Sequence, residues 1–368
     1  MKEGLVIVPY ECRCGSSYAP TADRWRCDCG GLLDLPLGAV RWPPRTDVRS
    51  MWRYLDAGDL PWRDVTLGEG DTPLVREDRE LYLKVEFASP TGSFKDRGAV
   101  VLVALARALN ASRLVADSSG NAGTAVAAYA ARAGVAAEIF VPAGTSEKKL
   151  QQIRGHGARV TVVEGSREDT AAAAAARVEE SGAFYASHVY NPYFHEGTKT
   201  YALEIFEQLG GAVPATLVLP AGNGTLVLGA HRGFAELRAA GLIDRIPRIV
   251  AVQSELCAPL AEAWTAGRDE PEPVRPGHTL AEGIAIADPA RGSRILVAVE
   301  DSHGAFVTVG EDEIAEAHAA LAARGLWVEP TGSVSYAAVR RLRAEGSSLV
   351  IGGPIVAPLC GSGLKASL

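Results

Sequence analysis

The chain has 368 residues, of which 47% are hydrophobic and 22% charged, with 44 acidic against 37 basic side chains and a formal net charge of −7. That length outgrows one small core and predicts two domains, with room for an appendage. The acidic balance, the lack of any Lys/Arg run and the lack of an uninterrupted bilayer-length apolar stretch exclude nucleic acid and membrane as expected partners.

From the N-terminus, Met1–Pro9 has neither the long apolar stretch nor the cleavage site of a secretory leader. With six cysteines, four of them crowded near the start, the chain does not read as a secreted disulfide scaffold. A reducing, cytoplasmic setting is expected. The crowded four form two pairs, Cys12-Arg-Cys14-Gly and Cys27-Asp-Cys29-Gly, separated by a turn-rich loop. Paired cysteines followed by glycine suggest a knuckle-type tetrathiolate zinc site, although each pair is one residue shorter than the usual C-x-x-C. A two-hairpin cap with free thiols or a disulfide is the other reading. Pro36–Arg45, with Pro43-Pro44, reads as the linker after this module.

Beyond the linker, Leu67–Val75 is a turn-rich loop and Leu81–Phe87 alternates like a strand. Ser89–Gly98 follows, running into an apolar helical segment from Ala99 to Leu109, so Lys95 sits at or just inside a helix N-terminus. The helix dipole and partial burial disfavour an ammonium there, and a lysine of lowered pKa is what Schiff-base chemistry requires. Taken alone, Lys95, Asp96 and Arg97 equally suit a solvated helix start.

From here strand and helix alternate. Arg113–Asp117, Ala137–Val141, Ala158–Val163 and Ala183–Ser187 read as strands. Helices are expected from Asn121 to Ala133, stopped by Gly134, over Thr170–Glu180, and from Gly197 to Leu209. Thr216–Pro220 is a buried-type strand before a helix to about Ala240, and Arg248–Gln253 is another strand. Gly267–Thr279 is a late loop. Arg294–Val299 and Ser348–Ile351 continue the series, with helices over Glu311–Arg324 and Ser333–Ala344. Such alternation predicts an α/β fold of two doubly wound parallel-sheet domains, with ligands beyond the strand carboxyl ends.

Two glycine-bearing loops occupy that position. Ser118–Gly123 and Gly222–Thr225 each follow a strand and open a helix, where backbone N–H groups bind a carboxylate or phosphate. Neither has the G-x-G-x-x-G spacing of a dinucleotide fold, which disfavours a nicotinamide-dependent dehydrogenase.

In order, these motifs are Gly68-Glu-Gly-Asp-Thr-Pro-Leu74, Pro90-Thr-Gly-Ser-Phe-Lys-Asp-Arg-Gly98, Ser118-Ser-Gly-Asn-Ala-Gly123, Asn191-Pro-Tyr-Phe-His-Glu-Gly-Thr-Lys-Thr200 and Pro220-Ala-Gly-Asn-Gly-Thr225. Glu329-Pro-Thr-Gly332 and Leu359-Cys-Gly-Ser-Gly-Leu-Lys365 complete them. Together with the Cys-rich start they resemble the threonine synthase-like family of fold-type-II pyridoxal-phosphate enzymes, over nearly the whole chain. The resemblance implies a Cys-rich zinc-ribbon-like module over 1–40. It further implies a large cofactor-binding domain from 41–110 and 200–368, a small α/β domain over 111–199, and a homodimer. Lys95 would bond to the cofactor's aldehyde and then shuttle a proton. Asn121 would hydrogen-bond the cofactor's phenolic oxygen. Ser119, Gly120, Asn121, Ala122 and Gly123 would hold the substrate carboxylate, and Gly222, Asn223, Gly224 and Thr225 the cofactor phosphate. Cys360 falls where relatives place Thr or Ser beside the pyridine nitrogen, a neutral partner suited to elimination rather than transamination.

The implied reaction is conversion of O-phospho-L-homoserine and water to L-threonine and phosphate. The alternative is β-elimination or β-replacement on serine, threonine, phosphoserine or a related amino acid, of dehydratase or cysteate-synthase-like type. Departures from the family pattern keep that alternative open. Phe194 stands where threonine synthases typically carry a phosphate-binding Arg, and an aromatic ring cannot make bidentate phosphate contacts. Lys199 or Arg97 could make them instead. Leu226 and the Asn-Ala-Gly of residues 121–123 remove further polar groups, and Cys360 is more usual in serine dehydratases.

Overall fold

Runs without polar alternation become strands buried on both faces, and Thr216–Pro220 is buried at every position. The computed structural model describes residues 7–56, 58, 60–145 and 147–365, so residues 1–6 of the stretch read for a leader lie outside it. The chain opens with β1 (Tyr10–Cys12), β2 (Ser17–Tyr18) and β3 (Leu33–Asp34), then α1 (Trp62–Val65), β4 (Leu74–Arg76) and β5 (Leu81–Lys84). Next come α2 (Lys95–Ala108), β6 (Arg113–Ala116), α3 (Asn121–Ala133), β7 (Ala136–Pro142), α4 (Glu147–Gly155), β8 (Arg159–Val163) and α5 (Arg167–Ser181). They are followed by β9 (Phe184–Tyr185), α6 (Tyr193–Thr198), α7 (Thr200–Gln208), β10 (Thr216–Pro220), α8 (Thr225–Ala239), β11 (Arg248–Ser254) and α9 (Pro259–Thr265). The last elements are α10 (Gly292–Asp301), β12 (Ala305–Val309), α11 (Glu311–Ala322), α12 (Pro330–Ala344) and β13 (Ile355–Pro358).

Local chemistry sets several of these ends. Gly134 closes α3 at φ 66°, the left-handed cap that glycine takes without strain. Ser166 and Asp169 form a reciprocal capping box on α5, and Pro330 occupies the first turn of α12, where no amide hydrogen is needed. The helix expected over 197–209 is two, α6 and α7, with Lys199 between them.

Two compact units result, residues up to Glu69 with Lys95–Gly197, and Gly70–Phe94 with Thr198 onward. Residues 41–69 and 95–110 therefore group with the first unit, where the sequence reading places them in the larger domain. The cause is α2, which is buried from Asp96 through Ala106 and packs on α1 and α3 of that unit. Its sheet is fully parallel, in the order β8-β7-β6-β9, beside an antiparallel ribbon β2-β1-β3. The second unit holds a six-stranded sheet, β12-β11-β10-β13-β5-β4, parallel except for the β4–β5 edge pair. The α/β class with parallel-sheet domains and an N-terminal ribbon is as expected from the sequence. No helix among the described residues is long and apolar enough to cross a membrane.

Candidate active site

In the first unit Lys95 is the opening residue of α2 and is half-buried. The turn it opens is crowded from one side. A Cβ on Gly98 would stand 2.5 Å from three atoms of the Phe194 ring, and one on Gly197 would run into the Arg97 carbonyl. Segment α6 is thus pressed against the first turn of α2 with no room for a methyl group at either glycine. Phe194 is 0% exposed. Its ring centroid lies 5.8 Å from Lys95 Nζ, and the His188 ring meets it edge-on at 5.9 Å. Burial, then the charges of Lys95 and Arg167, hold the His188 imidazole well below its ordinary pKa. A neutral imidazole and an aromatic ring therefore accompany the lysine.

Asn121 opens α3 at the carboxyl end of β6, and α3 packs along α2. Gly120 is the N-cap and has no side chain with which to cap the helix. The Gly120 amide donates to Ser118 Oγ at 3.3 Å, and Gly123 lies so close under the Ser118 carbonyl that a Cβ could not fit. Ser118–Gly123 is a loop folded back on the helix start, and such an end can take an anionic group.

In the second unit, adjacent parallel strands β10, β13 and β5 bring three further pieces to one sheet edge. The loop after β10 is Ala221–Gly224, with Gly224 at φ 69° as the N-cap of α8, again without a side-chain cap. Ile284 and Ile286 press on Gly222, within 3.0 Å of a notional Cβ, and Ile295 presses on Gly224. A Cβ would be crowded at both positions, and glycine leaves a backbone cradle of amides at a helix start that can hold a phosphate. Beyond β13, Cys360 is buried, and its carbonyl accepts from the Phe94 amide at 3.0 Å. Ser93 bridges to Gly361, so the chain leaving β5 runs beside residues 360–362 before entering α2 at Lys95.

The sequence-derived residues thus fall in two groups, Lys95, Ser119–Gly123 and Phe194 in the first unit, Gly222–Thr225 and Cys360 in the second. Phe194, read as lining a substrate pocket, packs under the turn that carries Lys95. Lys199, the other cation considered for a phosphate, is buried and paired with Glu236 at 2.8 Å. Arg97 is fully buried. Sequence reasoning assigned no role to His188, whose only signal was its nearness to the Asn191–Thr200 stretch.

The Gly68–Leu74 motif has a packing explanation. Glu69 accepts from Trp52 Nε1 at 2.6 Å, Thr66 Oγ1 at 2.9 Å, the Leu67 amide at 2.9 Å and the Tyr129 hydroxyl at 3.1 Å. In the second unit the Asp71 and Thr72 amides donate to Glu204, each at 2.9 Å, and Lys84 pairs with the same carboxylate. Buried charges in both places are matched by several partners, as burial demands.

Comparison with known proteins agrees with this architecture. The family described as pyridoxal-phosphate dependent enzyme matches residues 65–361. The chain is 33% identical to the threonine synthase of Methanocaldococcus jannaschii over 355 residues, covering 91% of this chain and 87% of that protein. It is 35% identical to the threonine synthase of Mycobacterium leprae over 320 residues, covering 84% and 86%. Among solved structures, a T.th. threonine deaminase superimposes with a TM-score of 0.64 at 29% identity, over 77% of this chain and 87% of that one.

Proposed function

This chain belongs to the pyridoxal-phosphate-dependent enzymes, with lyase-type activity, and from that premise we propose that it converts O-phospho-L-homoserine and water to L-threonine and phosphate. The site residues suit the cofactor. Lys95 offers a primary amine for its aldehyde, Gly222–Thr225 a helix-start cradle for its phosphate, and Cys360 an uncharged neighbour for its ring nitrogen. When bound, the cofactor supplies an electron sink that acidifies the substrate's α-hydrogen and lets a substituent leave as an anion.

The chain's own groups do the rest. Lys95 Nζ takes the proton from the substrate's α-carbon and returns one later, a transfer to which a half-buried amine beside a neutral His188 is suited. Asn121 would hydrogen-bond the cofactor's phenolic oxygen. The amides of the Ser119–Gly123 loop hold the carboxylate, fixing which face of the α-carbon meets the amine. Phosphate leaves the γ-carbon, which ends as a methyl group by taking up a proton in place of the one lost from the β-carbon. Water adds at the β-carbon, so one carbon–oxygen bond breaks and another forms on the neighbouring carbon. The observation that carries this reading is Lys95 at the start of α2, in a chain that also ends β6 and β10 in uncapped, glycine-started helices. Likeness to threonine synthases along most of both chains supports the substrate.

A second reading, β-elimination or β-replacement on serine, threonine or phosphoserine, is favoured by one feature. The position expected to hold a phosphate-binding guanidinium carries the buried ring of Phe194. Two measurements test these readings. The purified protein should show a visible absorption band that disappears in Lys95→Ala; a colourless protein after addition of pyridoxal phosphate would refute the enzyme reading. Phosphate release from O-phospho-L-homoserine should then exceed 2-oxo acid release from serine or threonine, and the reverse order would select the second reading. Light scattering of the same protein checks the expected homodimer.

A further inference from the structure

We propose that Cys12, Cys14, Cys27 and Cys29 hold one zinc ion as a closed tetrathiolate, and that the ribbon so closed clamps residues 185–194, the segment carrying His188 and Phe194. This does not depend on which amino acid is the substrate.

The first half rests on two matching turns. Cys12–Gly15 is closed by the Gly15 amide donating to the Cys12 carbonyl at 2.9 Å, and the Cys12 amide donates to the Ser16 carbonyl at 2.9 Å. Cys27–Gly30 repeats it, with Gly30 donating to Cys27 at 2.8 Å and Cys27 donating to Gly31 at 3.0 Å. Gly15 and Gly30 both have positive φ, 91° and 82°, so each turn ends in the conformation glycine alone takes without strain. The contraction to C-x-C is therefore made twice in the same way. It brings all four sulfurs within 4.8 Å of one another, with Cys12 to Cys29 at 3.7 Å and Cys14 to Cys27 at 3.5 Å. A tetrahedral zinc with Zn–S bonds of about 2.3 Å requires S···S edges of about 3.8 Å. The closest sulfurs belong to opposite turns, so a single ion joins the two hairpins. Gly31 completes the fit, since a Cβ there would sit 3.2 Å from both Cys12 and Cys29 Sγ. All four ligands come from protein, which marks a structural rather than a catalytic site.

The second half rests on what the ribbon touches. Strands of three, two and two residues cannot hold their own shape. The ribbon nevertheless commits Tyr10 and Trp25 to one segment. Trp25 meets Tyr185 and Tyr190 edge-on, each at 5.2 Å, and Tyr10 meets Tyr193 at 5.9 Å. Tyr193 donates to the Val8 carbonyl at 2.7 Å. Tyr193 precedes Phe194, the ring that supports the Lys95 turn. Opening the thiolate cluster would release Trp25, which lies two residues before Cys27, and loosen residues 185–194 first.

The full-length protein, purified without chelator, should contain one zinc per chain by inductively coupled plasma mass spectrometry. Its four ribbon thiols should resist Ellman's reagent until a mercurial displaces the metal. Hydrogen exchange should then accelerate about tenfold or more over 185–194 while β10 and α8 keep their protection. Cys29→Ser, at an exposed position, should lose the metal and give the same exchange pattern without a mercurial. Iron in place of zinc, disulfides joining these cysteines, or a folded metal-free protein with four reactive thiols would each overturn the metal assignment. Zinc that can be stripped with no change in exchange over 185–194 would overturn the clamp.

Discussion

Replacing Gly98 by alanine tests whether Phe194 really buttresses the lysine turn. The added methyl would lie 2.5 Å from three ring atoms, whereas carbon atoms pack at about 3.5–4.0 Å, so ring or helix must give by about 1 Å. Phe194 has no exposed edge toward which to rotate. Overpacking of this kind costs about 1–3 kcal/mol. Alanine recovers about 1 kcal/mol over glycine inside a helix, leaving a net loss of up to about 2 kcal/mol. With Phe194→Ala in place the clash is gone and only the helix gain remains, so Gly98→Ala should turn neutral or stabilising. Phe194→Ala alone should cost about 3–5 kcal/mol. Thermal unfolding of the four proteins closes the cycle, at about 2–4 °C per kcal/mol for a unit of this size. A Gly98→Ala penalty that is the same in both backgrounds would refute the buttress.

Other expectations follow from single sites. Gly224→Ala adds a Cβ against Ile295 at a residue held at φ 69°, a left-handed conformation costing about 1–2 kcal/mol for alanine. Pyridoxal phosphate should bind about tenfold more weakly or worse by fluorescence titration, and unchanged affinity would remove the loop from the phosphate site. Glu69→Gln faces four donors with one oxygen and an amide that must itself donate, and should cost about 1–3 kcal/mol in urea unfolding. A loss near zero would mean the network is not what fixes the Gly68–Leu74 stretch. His188 is held neutral in the folded chain and has a pKa of about 6.5 unfolded. Below that pH the unfolded state binds a proton that the folded state does not. Its contribution is therefore complete above about pH 7 and declines toward pH 5, by at most about 1.4 kcal/mol per pH unit. His188→Gln should flatten the profile in that window, and an unchanged slope would assign the acid sensitivity elsewhere.

Elements whose signals are local were legible in the sequence. Gly134 stops α3 where expected, Thr216–Pro220 is a strand ending in a glycine loop, and Lys95 stands at a helix start. Among the strands that were not legible, β4 begins in a stretch read as a loop, and β13 and β12 lacked a period. In β13, Pro354 and Pro358 bracket a run too short to show a period, yet the strand lies between β10 and β5 and leads to Cys360. Pro358 is tolerated because it closes the strand, where a missing amide costs no ladder bond. Ala305–Val309 was hidden between helices α10 and α11. The grouping of residues into compact units differs from the sequence reading for a related reason. Residues 95–110 read correctly as a helix, but which core that helix joins is decided by its contacts with α1 and α3.

Phe194 shows most clearly what a motif comparison cannot contain. Set against the family pattern, it is an arginine lost from a phosphate site. In the structure it is a buttress, possible because residues 98 and 197 are both glycine and α6 can approach α2 without an intervening Cβ. A guanidinium in that volume would be buried under the lysine's own turn, where a charge is costly unless it is paired. Of the two cations considered in its stead, Lys199 pairs with Glu236 and Arg97 is fully buried. In the proposed site the amides of the Ser119–Gly123 loop would read a carboxylate common to every amino acid. Choice among leaving groups must come from groups other than the arginine of the family pattern, and for that reason the ratio of phosphate to 2-oxo acid release discriminates more sharply than any further motif.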